Sequence, residues 1–151
     1  MRITKEDKNF YVFEQIALKT IIGMSKSDDY LGIENSKNLM QRVSDSFGMT
    51  CPEFKTTRKD STFCYYRCHA IYYNLLWGLN TPIVLHEMCH ALHGFFKTGG
   101  ENHGPEYTRV WIDVFSRMYD IDPGRFEELA DRRNIKYTTR KTEIKTYTPK
   151  Y

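Results

Sequence analysis

The stretch VLHEMCHALHGFF, residues 84–96, decides how the rest of the chain is read. It contains His86, Glu87 and His90 in the order His-Glu-x-x-His. On a helix, residues four apart project from one face about one turn apart. That spacing lets two imidazoles grip one tetrahedral Zn²⁺ at about 2.0–2.1 Å each. Glu87 follows the first ligand directly, so it reaches a water rather than the ion. It can take a proton from that water and later deliver it to a leaving amine. The bland alternative is two ordinary histidines beside a helix glutamate. Upstream punctuation argues for a helix: in Asn80-Thr81-Pro82, Thr81 can cap and Pro82 suits the first helical position.

A catalytic zinc takes a third protein ligand and keeps one position open. Four candidates exist. His93 shares the helix face, but it lies seven residues from His86, about 10 Å along the axis, too far for one ion to join both. His69 falls in an aromatic stretch that reads as strand, and Glu106 falls on the following helix. His103 is the preferred ligand. The Gly99-Gly100 pair lets the chain turn back after His90, and His103 stands just before Gly104-Pro105, at the mouth of the next helix.

Working outward, apolar residues recur at helical spacing from about Glu6 to Met24 (Phe10, Phe13, Ala17, Ile21) and from Asn35 to Phe47 (Leu39, Val43, Phe47), with Gly48 placed as a stop. Asp28 to Gly32 reads as a loop and residues 49–61 as irregular. Thr62 to Leu75 is rich in β-favouring aromatics and predicts one or two strands, with no Asn-Gly to mark a turn. After Pro105, the residues Tyr107, Val110, Trp111, Val114, Phe115 and Met118 trace one helical stripe. Asp122-Pro123 opens a short helix to about Arg132. Residues 1–132 read as one domain and 133–151 as a basic tail or edge strand.

Eleven Tyr and nine Phe supply much of a core. No apolar run approaches a membrane span, and the first residues, MRITKEDKNFYVFEQ, lack a signal-peptide apolar region, so the expectation is a cytoplasmic protein with no membrane partner. Cys51, Cys64, Cys68 and Cys89 form no Cys-x-x-Cys pair, which argues against a zinc ribbon and for free thiols. A minor alternative joins Cys64, Cys68 and His69 in a structural zinc site. The net charge of +3 is unevenly spread: residues 132–151 hold seven Lys or Arg and one Glu. That tail could contact DNA electrostatically. The competing functional reading is therefore a DNA-associated binding or regulatory protein with a structural or vestigial zinc site.

The pair LHEMCHAL (85–92) and ENHGPEY (101–107) resembles the SprT-like zinc metallopeptidases, which include the Spartan-type proteases. The family pattern is His-Glu-x-x-His, a short loop, then a histidine followed by glycine, two further residues and an aromatic, opening a helix. His103, Gly104 and Tyr107 match it, and the resemblance covers about residues 60–120. It implies an α+β, minimal zincin-like core of helices over a small β-sheet, with the motif helix beneath. It implies a zinc metallopeptidase with Zn²⁺ on His86, His90 and His103, Glu87 as general base, and a protein or peptide substrate. For some relatives it implies cleavage of DNA-associated proteins. Many members carry a C-terminal zinc ribbon, and this chain departs from them in having no cysteine after Cys89. A metzincin pattern fails, because its Gly and third His positions hold His93 and Phe96. Tyr72, Tyr73, Tyr107 and His93 are all candidates to stabilise an oxyanion.

Overall fold

The computed structural model describes residues 3–58, 64–95 and 102–139. Among these the fold is α+β, with five α-helices and a three-stranded mixed sheet. Helix α1 (Lys5–Ala17) starts at a capping box. The Thr4 hydroxyl accepts from the Asp7 N–H, and the Asp7 carboxylate accepts from the Thr4 N–H. The helix widens into a π-helical turn, Leu18–Ile22, and stops at Gly23, whose φ of 89° suits a residue without a side chain. Helix α2 (Gly32–Phe47) ends as expected at a left-handed Gly48.

The sheet differs from expectation at its first strand, while the aromatic stretch supplies two strands as expected. Strand β1 (Glu53–Thr56) lies in the stretch read as irregular. It has four residues and no alternating pattern, and it exists because it pairs in parallel with β3 (Ala70–Tyr73). Strand β2 (Tyr65–Arg67) pairs antiparallel with β3, so the order is β1-β3-β2. The β2–β3 hairpin turns on Cys68 and His69, both at positive φ (51° and 56°). Such a turn favours Asn-Gly, which explains why the sequence hides it. His69 is held there by Nε2, 2.6 Å from the Thr50 carbonyl oxygen.

Helix α3 (Thr81–Phe95) is apolar nearly all round and buried along most of its length. It packs against α2, against α4 (Pro105–Tyr119) and against strands β2 and β3. Its start differs in detail from the sequence reading. The Thr81 hydroxyl donates to Asp29 Oδ2 at 2.5 Å instead of capping its own helix. Helix α5 (Pro123–Arg132) is capped by Asp122, as expected, through the Gly124 N–H. The core centres on Trp111, which stacks on Phe115 at 4.0 Å and meets Phe13 and Phe126 edge-on. No helix among the described residues is long and apolar enough to cross a membrane. The tail is described only to residue 139. Its first residues run along α4, where Thr138 N–H donates to the Pro105 carbonyl, and residues 140–151 lie outside the described part.

Candidate metal centre

The face of α3 turned to the cleft carries Ile83, Glu87 and His90, with His86 and His93 flanking. The turn that opens α4 brings His103 to the same place. One nitrogen from each of His86, His90 and His103 lies within 4.8 Å of the others, and among the described residues this is the one His, Cys, Asp or Glu group so disposed. His69 is turned to Thr50, Glu106 lies outside the group, and Cys64, Cys68 and His69 do not form a cluster there.

Two carboxylates that the sequence reading missed decide how the rings point. His86 Nδ1 lies 2.6 Å from Glu14 Oε2, and His103 Nδ1 lies 2.8 Å from Asp7 Oδ1. An ionised carboxylate only accepts, so each Nδ1 carries the proton and each Nε2 presents a lone pair. Those two Nε2 atoms face each other at 3.4 Å. Two lone pairs so opposed repel unless a cation or a proton lies between them. Two nitrogens bound to one tetrahedral zinc stand about 3.3–3.4 Å apart, given bonds of about 2.0–2.1 Å. The donor set thus fits a divalent ion, and histidine ligands oriented by carboxylates are the usual arrangement around one.

Glu14 is itself fully held. Trp111 Nε1 donates to Oε2 at 2.8 Å, and Lys26 Nζ meets Oε1 at 2.5 Å. Burial pushes its pKa up, but the contacts with His86 and Lys26 outweigh burial and bring it down to about 2. Asp7 divides its oxygens between the α1 cap and His103. Burial opposes its ionisation, yet the Thr4 N–H and His103 hold it below the usual carboxylate range. The Thr-Lys-Glu-Asp start of α1 is a legible cap signal. Nothing in it announces a contact with His103.

The same surroundings keep two of the three imidazoles, His90 and His103, in the neutral form that a metal ion would need. Burial, then the neighbouring histidine charges, drives His90 well below the ordinary histidine pKa. Burial and His86 also lower His103, against the pull of Asp7. Glu87 differs from every other acid in the site. It is 6% exposed and its Oε2 has no hydrogen-bond partner in the protein. Burial, with Glu14 adding to it against His86 and Lys26, raises its pKa to about 7. A buried acceptor left open on the rim of a metal cluster is aimed at something other than protein.

The site opens into a cleft of roughly 260 Å³, whose walls include Tyr11, Tyr66, Glu87, His90, His93 and His103. Of the oxyanion candidates, His93 lines this cleft. The Tyr107 hydroxyl is committed to the His86 carbonyl at 3.0 Å, where it braces the ligand helix. Tyr73 is fully buried, and Tyr72 stacks on Tyr65 at 4.6 Å; neither lines the cleft. Tyr11, from α1, lines it and packs against His103 at 4.9 Å between ring centroids. All four cysteines are free. Comparison of the chain with protein-family models, with curated proteins and with solved structures finds no match.

Proposed function

We propose that this chain is a zinc metallopeptidase of the SprT-like kind, with a minimal zincin-like core, acting on a protein or peptide. The observation that carries the reading is the pair of carboxylate-anchored imidazoles turned lone pair to lone pair, with His90 alongside and an unpartnered, buried Glu87 next to them. His86, His90 and His103 would hold the ion. When bound there, zinc supplies a Lewis acid and lowers the pKa of a water toward about 7.

The chain's own groups supply the rest. Glu87, with a pKa near neutrality, accepts a proton from the attacking water and passes it to the leaving amine. The outer edge of β2 is unpaired within the three-stranded sheet, and Tyr65 and Tyr66 on it line the cleft. An extended substrate can therefore add to that edge and lie across the site. His93 and Tyr11 are among the side chains of the cleft wall able to donate to a developing oxyanion. Action on DNA-associated proteins is supported by the charge of residues 132–151.

The test is metal analysis of the purified full chain together with Glu87→Gln. We expect about one zinc per chain in both proteins. The variant should hydrolyse an unfolded protein such as casein about 10²–10⁴-fold more slowly. Wild-type hydrolysis by Glu87→Gln, or zinc content unchanged in His86→Ala, would sink the reading.

A further inference from the structure

Beside the metal cluster the cleft continues past Glu87 into a second cavity of roughly 490 Å³. The two share Ile3, Tyr11, Cys64, His86 and Glu87, so they are one continuous surface with Glu87 on the boundary. The added apolar walls are Trp77 and Ile83, beside Lys26, Ser27 and Asn80. Ile83 stands four residues before Glu87, one helical turn away on the same face of α3. Trp77 is 39% exposed, in a turn whose Leu75 and Leu76 are also exposed. Trp111, the only other tryptophan, is fully buried.

Polar groups on this wall are engaged elsewhere. Lys26 holds Glu14 at 2.5 Å and lies 4.7 Å from the centre of the Tyr11 ring. The Asn80 amide donates to the Lys26 carbonyl at 3.1 Å, and the Ser27 hydroxyl pairs with Ser25 at 3.0 Å. What faces the cavity is therefore mainly apolar, with His86, Tyr11 and Glu87 on the side shared with the metal cluster and the Lys26 ammonium already paired with Glu14.

We infer that this cavity is a specificity pocket that takes a bulky uncharged side chain, aromatic or leucine-like, of the substrate residue next to the bond being cut. The inference rests on the peptidase reading for the word substrate, but the pocket is defined by residues outside the three ligands, so it can be tested without turnover.

The full chain, kept metal-free by a chelator, is titrated with octapeptides that differ at one central position: phenylalanine, alanine, aspartate or arginine. Trp77 emission reports binding. The phenylalanine peptide is expected to bind at least about tenfold more tightly than the others, the scale on which apolar pockets discriminate. Trp77→Phe removes the signal without removing the preference, which calorimetry then reads. Ile83→Asp places an acid in the first turn of a helix, where it is tolerated. It should abolish the phenylalanine preference and favour arginine. Equal binding of all four peptides, or tightest binding of aspartate or arginine to the wild type, overturns the pocket. Zinc-loaded protein separates the two ideas. Selective binding without cleavage leaves the pocket standing and removes the peptidase reading. Cleavage indifferent to the central residue does the reverse.

Discussion

Helices α1 and α3 build the candidate centre by opposite means. Helix α3 places His86, Glu87 and His90 within five consecutive residues, where helical geometry alone sets their relation. Helix α1 contributes none of the three imidazoles. Through Asp7 and Glu14 it sets the tautomer and direction of two imidazoles that come from different segments, 96 and 72 residues away. A motif helix can offer nitrogens, but a free imidazole rotates and exchanges its proton between two positions. Only a partner on the far nitrogen holds the lone pair where an ion can use it.

The contrast can be broken most severely at the ligands. His103→Ala leaves two imidazoles on one helix, and zinc affinity should fall by more than the roughly 10–100-fold that a ligand's partner typically carries. Competition with a chelator measures it, and an unchanged affinity would remove His103 from the site.

Next come the two anchors on α1. Glu14→Gln should weaken zinc binding about 100-fold, because Glu14 is 1% exposed and also holds Lys26 and Trp111. Asp7→Asn should cost nearer tenfold, since the Asp7 side chain is 17% exposed. If both variants bind zinc as the wild type does, α1 is a bystander that merely packs nearby.

Acid sharpens the same difference. The folded-state pKa of Glu14, about 2, lies below its ordinary value of 4.5, so its contribution is present above pH 4.5 and is lost as pH falls toward 2. The contribution is on the order of a few kcal/mol, at about 1.4 kcal/mol per pKa unit. Urea unfolding of the metal-free protein at several pH values should show this fall, and Glu14→Gln should flatten it.

The smallest effect has the opposite sign. Glu87 is raised to about 7, so its contribution is present below pH 4.5 and disappears as pH rises through 7, where a buried carboxylate is left ionised. Metal-free Glu87→Gln should thus be more stable than the wild type at pH 8, by about 1–3 kcal/mol, with the gap closing toward pH 5. A variant less stable than the wild type at pH 8 would show that Glu87 is satisfied in the fold.

Much of the architecture is legible from local rules. The stops at Gly48 and the start at Asp122-Pro123 follow from capping chemistry, and the stripe through Trp111 from helical period. The sheet is less so. Strand β1 is too short and too unpatterned to stand without β3, and the Cys68-His69 turn adopts positive φ without the residues that favour it. His69 illustrates the cost of reading composition alone: it lies near the motif in sequence but serves the turn, while His103, across a loop, reaches the centre.

What the chain order alone determined is the pairing of His86 with His90 and the seat of Glu87 beside them, because a helix converts spacing into direction within one turn. What only the tertiary structure decided is that Glu14, held by Lys26, meets His86, that Asp7 meets His103, that Tyr107 braces α3 instead of facing the cleft, and that Glu87 Oε2 is left without a partner among the described residues. These contacts join residues far apart in the chain, and no local propensity encodes which distant carboxylate a buried imidazole will meet.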